Sequence, residues 1–128
     1  LVGFEPSETL RALNKCNAET VVITNTAPLP PFTVGLGIGV YPEIDELKAL
    51  IKAKTGRFIS FNGIELAKEA GNVMSLNIVL LGALIQTGIL HLTADSVKKA
   101  IETTTKKAFV ETNLKAFELG FQAAGNAV

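Results

Sequence analysis

The stretch from Gly71 to Gly88 restricts the fold more than any other part of the chain. Its apolar residues fall all the way round a 3.6-residue period, so a helix here has no solvated face and must be buried on more than one side. Asn72 is placed to cap its start, after a Gly71 that can end a preceding short helix. Gly88 is placed to stop it, which predicts a helix over about residues 73–87. A membrane span needs roughly 20 consecutive apolar residues, and this run is broken by Ser75, Asn77, Gly82 and Gln86. The stretch therefore reads as a central helix, covered on one side by its own sheet and on another by a neighbouring helix or a partner subunit.

A chain of 128 residues is one domain, able to bury about two-thirds of its unfolded surface. Charged residues make up 19%, below the usual quarter or so, and mean hydropathy is +0.35. A single subunit would expose more apolar surface than is usual, which points to a covering partner. Twelve basic residues balance twelve acidic ones, so the positive field of a nucleic-acid binder is missing. The lone Cys16 offers neither a disulfide framework nor a metal site. With no secretory leader pattern and no second hydrophobic span, the expected place is the cytoplasm, away from membranes. Leu1-Val2-Gly3-Phe4 is strand-like, with no initiator Met or turn before it. Residues 1–128 are accordingly expected to be a single domain forming the C-terminal two-thirds of a larger one.

Along the chain, a strand over 1–4 leads into a helix with Pro6 at a first helical position and Leu10, Leu13 and Cys16 or Asn17 at helical spacing through Ser7–Lys15. Thr20–Asn25 is a β-branched run typical of a parallel strand covered on both faces, so the segment is a right-handed βαβ unit. Pro28, Pro30 and Pro31 make Thr26–Phe32 a stiff extended loop. In Val34–Val40, Gly35, Gly37 and Gly39 alternate with Val34, Leu36, Ile38 and Val40, predicting a strand with one face of bare backbone against which something packs closely. Pro42 opens a helix with Glu43, Asp45 and Glu46 in its first turn and Ile44, Leu47, Leu50 and Ile51 as its buried stripe. Residues 57–62 form a strand, and Ile64–Ala70 a short helix. Thr93 caps a helix carrying Val97 and Ile101, and the last helix sets Phe109, Val110, Leu114, Phe117 and Phe121 on a core-facing stripe ended by Gly125.

Strands 1–4, 20–25 and 57–62 are each followed by a crossover and so run parallel. The fold class is α/β, a Rossmann-like open, mostly parallel sheet with helices on both faces and a C-terminal helical segment. Ligands of such sheets bind outside the carboxyl ends of the strands. Glu5, Asn25, Thr26, Pro28 and Asn62 lie there, and with Gly35, Gly37 and Gly39 they are the candidates for contact with a ligand or partner. A plainer reading has Glu5 and Asn62 capping helices while Asn25 and Thr26 hold the proline loop. Reactive chemistry is sparse: no His/Cys metal cluster, no four-cysteine Fe–S set, no P-loop and no complete Gly-x-Gly-x-x-Gly. His91 has no visible catalytic partner, and Cys16 reads as a small buried hydrophobe. No catalytic residue and no metal ligand is expected on this chain.

One resemblance covers essentially the whole chain. Gly3-Phe4-Glu5-Pro6 with Glu8-Thr9-Leu10-Arg11-Ala12-Leu13, Asn25-Thr26 with Pro28 and Pro30-Pro31, Tyr41-Pro42, Glu65-Leu66-Ala67, Gly71-Asn72, Asn77 to Leu84, and Glu111 to Gly120 follow one another in an order and spacing that resembles the gamma-type domain of 2-oxoacid:ferredoxin oxidoreductases. Within that family the sequence is most similar to the beta subunit of the indolepyruvate branch. The family domain begins with a glycine-rich strand-to-helix turn that this chain lacks, so no ligand role resting on that turn carries over.

The resemblance implies an enzyme that oxidatively decarboxylates a 2-oxoacid with thiamine diphosphate, passes electrons through Fe–S clusters to ferredoxin and yields an acyl-CoA. It places the thiamine and cluster motifs on a larger alpha-type subunit. This chain would be the non-redox subunit, inactive alone, that positions its partner and helps enclose the site or the CoA route. A second copy of the chain is a further candidate partner. The alternatives are a pyruvate- or ketoisovalerate-type gamma subunit, or a free-standing module that binds a nucleotide or CoA on the strand rim.

Overall fold

The computed structural model describes residues 1–29 and 35–127. Three strands, β1 (Val2–Gly3), β2 (Val21–Asn25) and β3 (Arg57–Phe61), form a parallel sheet in the order β1-β2-β3. Val2 pairs with Ile23, and Ile23 with Ile59. Each lies within a residue or two of the expected span. Helix α1 (Pro6–Arg11) and a 3-10 turn over Ala12–Lys15 connect β1 to β2, and α2 (Ile44–Lys54) precedes β3. Then follow α3 (Gly63–Ala70), α4 (Leu76–Gln86), α5 (Ala94–Thr104) and α6 (Val110–Asn126).

Both faces of the sheet are covered, because β2 and β3 are apolar on both. Val22 packs with Leu13 and Ile51, and Phe58 and Cys16 join that cluster, so the cysteine sits among hydrophobes. The adjacent Ile23 and Ile59 point the other way, into a core with Ala67, Val79, Leu80, Ala83 and Ala116. A third cluster joins Ile85, Ile101 and Phe117 of the last three helices.

Helix α4 is the buried centre. A 3-10 turn over Val73–Ser75, capped by the Asn72 side chain, starts it, and Gly88 follows its end at φ 72°, a left-handed conformation glycine adopts without strain. Leu76, Val79, Leu80, Ala83 and Ile85 are buried. The second covering element is this chain's own α6, and the two backbones touch: a Cβ on Gly82 would lie 2.0 Å from the Phe117 carbonyl oxygen, and one on Gly120 1.8 Å from that of Val79. Apolar residues all round a helix thus find sheet on one side and helix on the other.

Four expectations need correction. Residues 35–40 are not a strand: Gly37 lies in a turn at φ 72°, and the whole stretch is exposed. Among the described residues a Cβ on Gly35 or Gly37 would meet nothing within 4 Å, so neither glycine packs closely against the described part of this chain. Alternation alone did not supply a neighbouring strand to pair with, and Val34, Pro30 and Pro31 lie outside the described residues. Leu50 is 56% exposed, because α2 buries only Leu47 and Ile51, one turn apart, and Leu50 falls beside that seam. Pro42 precedes α2 by two residues, since Glu43 is still extended at ψ 132°. Phe109 is exposed because it belongs to a 3-10 turn, Lys107–Phe109, out of phase with the stripe of α6. Phe117 is fully buried as expected and stacks on Phe121 with ring centroids 6.2 Å apart. Helix α6 runs to Asn126, one residue past Gly125. No helix among the described residues is long and apolar enough to cross a membrane.

Candidate functional site at the carboxyl rim of the sheet

The ends of the three parallel strands bring Glu5, Asn25, Thr26 and Asn62 to one rim. Asn25, fully buried at the end of β2, links all three. Its Nδ2 donates to the Phe4 carbonyl (2.9 Å) and the Ala27 carbonyl (3.2 Å), while its Oδ1 accepts from the backbone N–H of Gly63 (2.9 Å) and Ala27 (3.2 Å). All four hydrogen-bonding positions of the amide are filled. Asn62 caps α3 by accepting from Glu65 N–H at 3.2 Å, and the Thr26 N–H donates to the Phe61 carbonyl. Pro28 is exposed beside them, whereas Gly35, Gly37 and Gly39 stand on the exposed segment described above.

Glu5 is a second hub. Its buried carboxylate caps α1 from Glu8 N–H at 3.0 Å and accepts from Ser7 Oγ at 2.5 Å and from the Tyr41 hydroxyl. Burial works against ionisation, but the bonds from Ser7, Tyr41 and the backbone of Glu8 and Leu29 outweigh it and hold the carboxyl below its ordinary range. Burial and then the Glu5 carboxylate push the Tyr41 hydroxyl up to about 12. Glu5 thereby fastens Tyr41, 36 residues away, to the β1–α1 turn. Underneath, Thr9 Oγ1 and Thr24 Oγ1 share a hydrogen bond of 2.7 Å. A Cβ on Gly3 would strike Thr9 Oγ1 at 1.8 Å, so glycine is needed where α1 crosses β1.

Ser7, Thr9, Thr24 and Tyr41 were not among the sequence candidates. Tyr41, 36 residues from Glu5, entered the sequence reading only through the Tyr41-Pro42 pair of the family resemblance. The plainer roles for Glu5 and Asn62 as caps and for Asn25 as a turn-holding residue are what the geometry contains. These polar groups serve one another, so the rim is a rigid frame rather than a set of poised acids and bases. Among the described residues no three His, Cys, Asp or Glu side chains are grouped to hold a metal ion, and His91 is exposed.

The Glu5 clasp gives a pH prediction. A carboxyl with a lowered folded pKa adds stability above its unfolded value, near 4.5, and that stability is lost as pH falls through the folded value. Tyr41→Phe removes one charge-assisted bond and is expected to cost about 1.5 kcal/mol near pH 7. The melting-temperature gap between the two proteins should shrink on acidification below about pH 4.5. A gap that stays constant from pH 3 to 7 would detach Tyr41 from the ionised Glu5.

The pyruvate ferredoxin/flavodoxin oxidoreductase family matches residues 1–123. The indolepyruvate oxidoreductase subunit IorB of Pyrococcus horikoshii is 41% identical over 125 residues, covering 97% of this chain and 62% of that protein. The subunit of the same name from Thermococcus kodakarensis is 38% identical over the same shares. In Methanothermobacter thermautotrophicus its counterpart is 35% identical, covering 99% of this chain and 65% of that one. The chain thus spans less than two-thirds of these relatives' length. Among solved structures, the gamma subunit of a keto/oxoacid ferredoxin oxidoreductase from Geobacter sulfurreducens superposes with a TM-score of 0.70 at 25% identity, covering 99% of this chain and 64% of that one.

Proposed function

Because the chain belongs to the pyruvate ferredoxin/flavodoxin oxidoreductase family, we propose that it is the gamma-type, non-redox part of a 2-oxoacid:ferredoxin oxidoreductase acting in the cytoplasm. The observation that carries this reading is the 35–41% identity to proteins named as oxidoreductase subunits along nearly all of its length. Indolepyruvate is the substrate we assign to the assembled enzyme, since identity to the IorB subunits exceeds the 25% shared with the keto/oxoacid gamma subunit. Residues 1–128 would then be the larger part of a gamma-type domain. The outer edge of β1, unpaired among the described residues, is where a further parallel strand of that domain would join.

In this proposal an alpha-type subunit holds the thiamine diphosphate and the Fe–S clusters and hands electrons to ferredoxin. A cluster does not fit this chain, whose single cysteine falls short of the four thiolates one requires, and no redox step is assigned to it. Its contribution is a stiff rim, braced by Asn25 and Glu5, that holds the partner and borders the site or CoA route. Exposed Leu36, Ile38 and Val40 in an uncharged segment, with Ile89, Leu90 and Leu92 beyond α4, are the apolar surface such a partner would cover. The saturated rim argues against a free-standing nucleotide or CoA module, whose polar groups would be left open for ligand.

The purified chain is expected to be colourless, to bind neither thiamine diphosphate nor an Fe–S cluster, and to oxidise neither indolepyruvate nor pyruvate until an alpha-type subunit is added. Native mass spectrometry should then show the two together. Oxidation by the chain alone, or a partner-free mass from native extracts, would overturn the reading.

A further inference from the structure

A second site lies away from the rim. Helix α3 starts at Gly63, bonded to Asn25, and eight residues later, roughly 12 Å along its axis, it leads to a cleft of about 420 Å³. Its lining includes Asn72, Met74, Asn77, Lys106, Phe109 and Asn113. The volume is within the ordinary range for small-molecule sites, roughly 300–1,000 Å³.

Two amides in this cleft are oriented. Asn72 Oδ1 accepts from Met74 N–H at 2.9 Å and Asn77 Oδ1 from Ile78 N–H at 3.0 Å. A backbone N–H can bond only the oxygen end, so both NH2 ends are left over as donors. Ser75 Oγ lies 3.1 Å from Asn113 Oδ1, a hydroxyl contact that either end of that amide can make. Lys106 makes no ion pair among the described residues. The lining therefore offers two oriented amide donors, the Asn113 amide and one cation, with no Asp or Glu among them. The starts of α4 and α6 at this end add positive potential. The same lining carries Met74 and Phe109, 79% and 46% exposed, an apolar wall of one flexible thioether and one ring.

We infer that this cleft is a binding site for a small carboxylate carried on an apolar or aromatic body, with the amides and Lys106 receiving the anion and Met74 and Phe109 the body. Planar NH2 donors suit a planar carboxylate, and the apolar wall selects against a bare inorganic anion. The site is independent of the oxidoreductase reading, which stands or falls on assembly.

The test is an NMR titration of the full chain with phenylacetate, with phenylacetamide and inorganic phosphate as comparison probes. Phenylacetate should shift the side-chain amides of Asn72, Asn77 and Asn113 and the Phe109 ring saturably. Phenylacetamide and the Lys106→Gln variant should each weaken binding about tenfold, the equivalent of one lost charge-assisted bond. Lys106 is exposed, so an unchanged melting temperature confirms that the variant is folded. Absence of saturable shifts overturns the inference. So does phenylacetamide binding as well as the acid, or phosphate binding as tightly as phenylacetate.

Discussion

Gly120→Ala is expected to lower stability by about 3 kcal/mol, the upper end of overpacking, and the melting temperature by roughly 10 °C for a domain of this size. The added methyl would sit 1.8 Å from the Val79 carbonyl oxygen and 2.6 Å from its carbon. These are backbone atoms of α4, which cannot swing aside as a side-chain tip can, so the helices must separate. Separation would open the core around Val79, Leu80 and Ala116 and lose contacts all along the seam. Gly82→Ala should act alike, because its Cβ would meet the Phe117 carbonyl at 2.0 Å. Gly125→Ala, in the same helix, is the control: its nearest neighbour is Gln86 Nε2 at 3.4 Å. There the better helix propensity of alanine should leave stability unchanged or raise it by up to about 1 kcal/mol. Equal melting temperatures for Gly120→Ala and Gly125→Ala would disprove the close crossing.

That seam shows where sequence reading stops. The helix over Leu76–Gln86 was legible because apolar periodicity and a cap such as Asn72 are local signals. So were the strands around Val22 and Ile59, whose neighbours alternate between two buried faces. Nothing local says that Gly82 and Gly120 meet across two helices, since their requirement for glycine arises from another helix's backbone. Residues 35–40 show the converse error. Alternating glycines have the period of a strand, but a period becomes a strand only with a partner ladder, and Gly37 turns into φ 72° instead. Leu50 and Phe109 were misread because helical phase was extended past the width of one seam and past the start of one helix. At the rim, Glu5, Asn25 and Asn62 were legible as polar residues following strands. Their partners were not, since Asn25 reaches Phe4 and Gly63, and Glu5 reaches Tyr41, only once the sheet has formed.

Asn25→Asp isolates that long-range work with almost no change in shape. The carboxylate keeps the two acceptor roles toward Gly63 and Ala27 N–H, but the atom replacing Nδ2 now faces the carbonyl oxygens of Phe4 at 2.9 Å and Ala27 at 3.2 Å. Two attractive contacts become repulsive in a buried place, an expected loss of about 3 kcal/mol at pH 7. The loss should depend on pH in a defined direction. Burial and the facing carbonyls raise the folded pKa of the new carboxyl above its unfolded value of about 3.9. The folded state then binds a proton the unfolded state has released, and stability falls as pH rises through the interval between those two values. Acidification toward about pH 4 restores a donor facing Phe4 and should narrow the gap to the parent protein. Both proteins carry Glu5, so its own acid dependence cancels when melting temperatures are compared at matched pH. Asn25→Leu supplies the contrast: it leaves Gly63 N–H, Ala27 N–H and the Phe4 carbonyl without their side-chain partner and has no proton to gain, so its penalty should not change between pH 4 and 7. A penalty for Asn25→Asp as flat as that of Asn25→Leu would show that the amide nitrogen does not face those carbonyls, and the link from β2 to β1 at the rim would have to be carried by other atoms.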